Sequence, residues 1–383
     1  MVERLDVDVA IVGGGTAALA AAVALREKGL SVAVLEKRRC GAGASGVNFG
    51  GVRQQGRDLR ELPLAKRSRA LWDGLNAKLG EDTEFEATGH IKLARSAEDL
   101  AELELYRERA AEFGLDLTML GANAVHEELP WLGEKVVGAS LSPTDGQANP
   151  RVVGPAFARL ARRLGAIVRE FTPVEAVAHT GSGFVVKAPG LEVRARQLVN
   201  AAGAGSGLVA SAFGEDVPLT PLSPNMLVTE PMPYFVSRSI GVCGGDVYVR
   251  QTRRGNAIFG GGHGIQDVEL GLARPASSES LDGMRRTLQL VPSLRRANVI
   301  RTWSGFDGQM PDHIPVIGFS KTTPGLVHAF GFSGHGFQLG PVVGLIVCEL
   351  LTDGETPSPI APFAIDRFGA DAVAAPPPTH TEH

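Results

Sequence analysis

Cysteine, tyrosine and tryptophan each occur only three times in 383 residues. The cysteines, Cys40, Cys243 and Cys348, stand far apart, which excludes a disulfide framework and a closely spaced metal-binding thiol set. Free thiols in a reducing cytoplasm follow as the expectation. The nine histidines and the carboxylates show no zinc or calcium spacing, so no metal is expected. A strong charge of either sign is missing too. Thirty-eight basic residues against 42 acidic ones leave a formal net charge of -4, which gives no reason to expect nucleic acid or an anionic membrane as partner. No run of about 18 apolar residues interrupts the chain, so no membrane span is predicted. The charged start "MVERLDVDVAIVGGG" leads straight into a strand and predicts no signal peptide.

Glycine is abundant instead, at 48 residues, and it gathers in short loops. Such loops suit backbone held against a ligand. "VDVAIVG" reads as a buried parallel strand, "GTAALAAAVALREKG" as an Ala-rich helix ending at Gly29, and "SVAVLEK" as a second buried strand. Helices are expected near 58–79, 96–113, 150–164 and 277–291. "RQLVNAAGAGSGLVASAF" reads as strand, tight turn and helix, and "VYVRQTRRGNAIFGGG" as a hairpin turning at Gly255-Asn256. The fold class is mixed α/β: a Rossmann-like nucleotide-binding domain assembled from 1–83, 149–216 and 300–370. An antiparallel-sheet substrate domain from 84–148 and 217–299 is inserted into it, and a disordered Pro- and Ala-rich tail follows at 371–383.

The front motif is Gly13-Gly14-Gly15-Thr16-Ala17-Ala18, between the first strand and the first helix. Gly13 permits a tight turn, Gly15 lets backbone amides approach a pyrophosphate, and Ala18 stands where a third glycine would pack helix on strand. The helix N-terminus favours the phosphate charge. Glu36 ends the second strand, about 20 residues on, where a carboxylate can bond ribose hydroxyls. The motif alone leaves NAD and FAD open. A second glycine-rich loop, "CGAGASGVNFGGVRQQ", follows at once and favours FAD, whose ribityl chain needs bare backbone; a NAD-linked dehydrogenase stays as the alternative.

These motifs together, with "LVNAAGAGS", "RTWSGFDGQMPDHIPVIG" and "GFSGHGFQLGPVVG", resemble the D-amino-acid oxidase superfamily over about residues 6–356. Within it the chain resembles sarcosine oxidase beta subunits and related amine and opine dehydrogenase beta subunits. The resemblance implies oxidation of a C–N bond in an amino acid or secondary amine by hydride transfer to flavin N5, giving an imine that hydrolyses. It also implies that a partner subunit or other electron acceptor is possible. For cofactor binding it implies Gly13, Gly15, Thr16, Ala17, Glu36, Lys37, Ser45, Gly46, Asn48, Gly50, Gly51, Val52, Val174, Gly203, Gly334, His335, Gly336, Phe337 and Gln338. The last group would set bare amides and a helix N-terminus against the flavin pyrimidine edge, where reduced flavin carries charge.

Catalysis by such an enzyme needs orientation more than acid–base chemistry. Arg53 follows the flavin-hugging glycines. Tyr248 and Arg250 alternate along one strand and so share a face. His335 lies between two glycines. These four are the candidate catalytic residues, and Trp303 is a candidate wall of the substrate pocket. His90, His126 and His179 read as surface or strand residues. Two departures from the family matter. Monomeric sarcosine oxidases carry a lysine where this chain has Gln338, so a different substrate or carboxylate clamp is implied. They also attach FAD through a cysteine near "TWSG", where none stands here, so non-covalent FAD is expected.

Overall fold

The first strand, β1 (Glu3–Val12), ends in four buried residues and becomes the centre of a sheet. The computed structural model describes residues 2–133 and 135–368. The tail at 371–383 lies outside the described residues. Parallel pairing joins β1 to β2 (Val32–Leu35) on one side and to Leu191–Asn200 on the other. Ile167–Arg169 and Leu326–Phe330 extend the parallel set outward. Val316–Phe319 and the hairpin of Ala176–His179 with Phe184–Ala188 join antiparallel. Continuous apolar runs such as "VAIV" and "VAVL" suit strands covered on both faces.

One face of this sheet is covered by helix α1 (Thr16–Glu27), by the Pro150–Arg163 helix, by Leu62–Asp73 and by the C-terminal helix Gly336–Asp353. Their apolar residues form a single core with Val9, Ile11, Val32 and Val34. The other face packs Ala10, Val12, Ala33 and Leu198 against Phe184 and Val186. Gly336–Asp353 has a mean hydropathy of 1.3, long and apolar enough by composition to cross a membrane, although no single apolar run in the sequence is that long. It is 72% buried inside the fold, which fits a core helix. Pro341 lacks the amide that would bond Phe337 O and so loosens the first turn. The next carbonyl, Gln338 O, accepts from Trp72 Nε1 at 2.9 Å and from Ser68 Oγ at 2.5 Å.

The second sheet runs, in order, Val299–Ser304, Pro224–Pro231, Asn256–His263, Tyr248–Gln251, Ser239–Val242, His90–Ala94, Gly138–Ser142 and Thr118–Gly121. It is antiparallel except where Ser239–Val242 pairs parallel with His90–Ala94. The hairpin turn occupies residues 252–255, closed by Gly255 N donating to Thr252 O. Asn256 therefore opens the returning strand, one position earlier than the sequence suggested.

Register gives this sheet two unlike faces. Leu227, Phe259, Val249, Ile240, Ile91 and Ala139 lie in an apolar core. The opposite face carries Trp303 paired with Met226, Met226 paired with Gly260, and Tyr248 paired with Gly241, Lys92 and Ser140 in turn. A Cβ on Gly260 would lie 1.9 Å from Tyr248 Cζ, so the phenol ring fills the space above that glycine. The polar face is turned toward the glycine loops of the first sheet, as the contacts of Tyr248 and Arg250 below establish.

Helices α1 and Gly336–Asp353 touch without a side chain between them at Gly344, whose added Cβ would lie 2.4 Å from Ala20 Cβ and 2.5 Å from Ala20 C. Gly344→Val is expected to force the helices apart and cost about 1–3 kcal/mol or more. Urea unfolding would measure it. Stability equal to the parent would show that the helices separate freely.

Candidate active site

Gly15 is the N-cap of α1, with its backbone extended. Thr16 N donates to Ser45 Oγ at 3.0 Å, so the loop from Cys40 to Gln55 is fastened to the helix start. A Cβ on Gly15 would come within 3.1 Å of the same oxygen. Glu36 closes the other side: its carboxylate accepts from Gly14 N at 2.6 Å and Arg38 N at 2.7 Å. Thr172 N donates to Glu36 O, which brings the segment holding half-buried Val174 alongside. Lys37 is exposed, and Gly203, in left-handed backbone at φ 60°, faces open space. Thr16 Oγ1 and Arg38 Nε are buried without a partner. Burial, seconded by Glu170 and Glu36, pushes the Cys40 thiol up to about 12, so it is an inert thiol.

The second glycine loop is built from within. Asn48 Nδ2 donates to Ala44 O and Ser45 O, and its Oδ1 accepts from Gly50 N at 2.8 Å. Gly46 packs so tightly that a Cβ would sit 2.0 Å from Gly41 O. Gly50 has φ 87°, and a Cβ there would meet Ala148 O at 2.4 Å. Gly51 and Val52 pair with Gly146 and Gln147.

The polar face of the second sheet meets this loop at Phe49. The Tyr248 ring stands edge-on to Phe49 with centroids 4.9 Å apart, and Arg250 Cζ lies 5.5 Å from the Phe49 centroid. Arg250 Nε donates to Phe49 O. Tyr248 and Arg250 do share one face, as their alternation implied. Burial pushes Arg250 down to about 10, which leaves it charged at neutral pH, and pushes the Tyr248 phenol up, which leaves it neutral. Trp303 joins the same face and donates from Nε1 to Val47 O at 2.7 Å.

The C-terminal loop differs in detail from its sequence reading. His335 is the residue before the helix, which begins at Gly336. Gly334 N donates to Asp307 Oδ2 at 3.0 Å, so that amide is committed within the protein. Burial raises the Asp307 carboxyl, and the amides of Gly308 and Gly334 oppose the shift. The first-turn amides of Gly336, Phe337 and Gln338 have no carbonyl within the helix to bond. The Gln338 side chain turns away into the core, donating to Ala65 O at 2.8 Å, and Phe337 packs on Trp72. Any cofactor contact from these two falls to their backbone.

His335 Nδ1 lies 2.7 Å from Glu61 Oε2, a partner the sequence reading missed. Glu61 is fully buried and its other oxygen is unpartnered. Burial depresses His335 to about 4, Arg57 adds to the effect and Glu61 opposes it. A neutral His335 places its one proton on Nδ1, facing the carboxylate, and leaves Nε2 an acceptor. Arg53 Nη1 donates to Gln55 O at 2.8 Å rather than to a carboxylate. Asp145, reached by Gln54 N at 2.9 Å and Gln55 N at 3.1 Å, fixes the chain there. His90, read as a surface or strand residue, opens the strand His90–Ala94 and is buried, with an unpartnered Nδ1; burial, then Arg53, Lys92 and Arg57, hold it well below the ordinary histidine range.

A bare-backbone cradle at a helix start, an acid at the end of the second strand and a second sheet roofing a glycine loop define an FAD-binding oxidoreductase. The comparisons agree. The DAO family model, FAD dependent oxidoreductase, matches residues 8–350, and the chain belongs to that family. It is 30% identical over 382 residues to a subunit of the opine oxidase of Rhizobium meliloti, covering 95% of this chain and 98% of that one. It is 29% identical over 391 residues to the beta subunit of sarcosine oxidase from an Arthrobacter species, covering 96% and 94%. The crystal structure of glycine oxidase from Geobacillus kaustophilus superposes with a TM-score of 0.89 at 27% identity, covering 95% and 99%. The protein is an FAD-dependent oxidoreductase of amines or amino acids, and the nicotinamide alternative falls away.

Two outcomes follow. Gly15→Val is expected to drive a side chain into Ser45 and the phosphate path and to abolish FAD retention; a folded variant as yellow as the parent would show the cradle misread. His335 has a folded-state pKa of about 4, below the ordinary value of 6.5. The unfolded chain therefore binds the extra proton first, and stability present above about pH 6.5 is lost as pH falls toward 4. His335→Gln should shrink the loss measured by urea unfolding across that window, and an undiminished loss would assign it to other groups.

Proposed function

We propose that this chain oxidises the C–N bond of an amino acid or secondary amine to an imine that hydrolyses in water, for which bound FAD would supply the hydride acceptor. Non-covalent FAD, when bound, supplies the two-electron acceptor. The rest falls to the protein's own residues. Thr16 and the α1 N-terminus hold the phosphates, Glu36 the ribose, and the first-turn amides of Gly336–Gln338 the pyrimidine edge. Tyr248 and Arg250 roof the site and orient the substrate, Arg250 through its carboxylate. Trp303 walls the pocket. Neutral His335, held by Glu61, presents Nε2 as an acceptor.

The observation that carries this reading is Arg250. It is a buried cation whose guanidinium leans on Phe49, at the lip of the glycine loop, with no carboxylate of its own among the described residues. The nearest carboxylates, Glu84 and Glu86, are committed to Arg254 and Arg253. A buried charge needs an opposite charge, and a substrate carboxylate supplies one. Because two of the relatives are parts of larger oxidases, a second reading is that the chain passes its electrons to a partner protein rather than to oxygen.

Anaerobic bleaching of the flavin by a panel of glycine, sarcosine, proline, D-amino acids and opines tests the reaction. No bleaching by any amine would reject it. Arg250→Met should keep the flavin and raise the dissociation constant of a carboxylate ligand by roughly ten- to hundredfold. An unchanged constant would place the clamp elsewhere. Acid precipitation should release all flavin to the supernatant; flavin pelleting with the chain would reveal a covalent link.

A further inference from the structure

The loop in front of the C-terminal helix is held by a carboxylate from another segment. Asp307, in the short strand Asp307–Gln309, accepts from Gly334 N at 3.0 Å and from Gly308 N at 2.8 Å. Two further bonds zip the same segments together. Ser333 N donates to Gly308 O at 3.1 Å, and Met310 N donates to Ser333 Oγ at 3.1 Å. Ser333 and Gly334 both take left-handed backbone, with φ 51° and 86°. Serine adopts that region only at a cost, so these bonds hold it there. The carboxylate is fixed in turn, because it cannot swing away without releasing a strained loop.

The charge of Asp307 is not spent on a cation. Among the described residues no lysine, arginine or histidine nitrogen lies within ion-pair distance, 4.0 Å, of it. Its partners are neutral amides, and burial raises its carboxyl against their pull. The elements packed on it add no charge of their own. Leu222 pairs with it from Thr220–Leu222, and Ala204 Cα lies 3.2 Å from a Cβ built on Gly308. Neither Thr220–Leu222 nor Gly203–Gly205 carries a titratable side chain. The clamped loop carries His335, which is turned to Glu61. A fixed negative charge is therefore bonded two residues ahead of an 18-residue helix that has no acid in its own first turn. The helix N-terminus attracts negative charge, and Asp307 already takes part of that attraction.

Resting on the reading that the first-turn amides of Gly336–Gln338 meet the flavin pyrimidine edge, we propose that Asp307 is a fixed negative charge set against the reduced cofactor, and that it takes up a proton when the cofactor becomes negative. Like charges in one enclosed site oppose each other. The carboxylate makes arrival of the hydride less favourable and departure of the electrons more favourable. Two electrons and a hydrogen nucleus leave the substrate carbon as hydride, and one further proton from solvent forms an O–H bond on Asp307. That bond breaks and the proton returns to solvent when the electrons pass to oxygen or a partner protein. The coupling is reciprocal: whatever Asp307 costs the negative cofactor, that cofactor adds to the proton affinity of Asp307.

Sulfite tests this without turnover, because its adduct with oxidised flavin puts the same negative charge at the pyrimidine edge. Dissociation constants are read on the FAD-loaded protein from bleaching of the flavin band. They are expressed for the sulfite dianion, so that sulfite's own protonation drops out. Asp307→Asn should keep the flavin and bind sulfite at least about tenfold more tightly than the parent near pH 8, since a neighbouring like charge is worth about one pKa unit or more. Acidification to about pH 5 should narrow that ratio. A protonated Asp307 opposes nothing, and its carboxyl is already raised above 3.8 before the adduct raises it further. His335 is common to parent and variant and cancels in the ratio. Asp307→Ser should behave as Asp307→Asn does. If neither variant folds, the parent decides alone, and its constant should fall between about pH 8 and pH 5. Equal constants near pH 8, weaker binding by a folded variant, a ratio indifferent to acid, or a parent constant that does not fall would each overturn this inference alone. Refusal of sulfite by the parent and by folded, flavin-retaining variants would also overturn the placement of the loop at the pyrimidine edge.

Discussion

Arg250 Nε bonding Phe49 O is the join on which the site depends. It ties the second sheet to the glycine loop of the first, across 201 residues of sequence. The bond works because Gly50 follows Phe49. A side chain at Gly50 would strike both Ala148 O and the Arg250 guanidinium. Bareness of the loop and burial of the cation are thus one constraint. A neighbouring glycine makes room for the large ring too: Tyr248 lies over Gly260, while the space above Gly241 is taken by the His90 ring, 3.4 Å from an added Cβ.

Glycine placement made much of the fold legible. Gly13 and Gly15 after an apolar strand, Glu36 at the end of the next, and the loop to Gln55 all announce themselves locally, because a turn or a close approach leaves a mark within a few residues. The Tyr248–Arg250 pair was legible for the same reason, since strand alternation is local. Glu61 was not. It sits 274 residues from His335, and nothing near it in sequence separates it from the exposed charges of Arg60 and Asp58 beside it. Lys92 and Arg57 were missed for a similar reason. Lys92 reads as the polar position of an alternating strand, and only the register with Gly241 turns it toward Tyr248.

Gln338 shows how a local rule can point to the right place and the wrong atoms. Its position beside the helix start is as expected, but the side chain is drawn into the core by Ala65 O, and its carbonyl holds Trp72 and Ser68. A lysine could not bond a buried carbonyl there without burying its charge, whereas a neutral amide can. Losing the cation at this position removes one way of matching a substrate carboxylate.

Cations do stand elsewhere on the face. Arg250 reaches in from the second sheet, and Arg53 and Lys92 come from the loop and the neighbouring strand. Buried guanidiniums without carboxylates destabilise an empty site, because desolvation is not repaid by a partner. That cost persists in a fold only where something else fixes the chain. Asp145 does so through Gln54 and Gln55, and Glu61 does so through His335. The acids of this site thus hold backbone and imidazole in place rather than pairing with the guanidiniums. An ordinary ion-pair network would have spent them on each other.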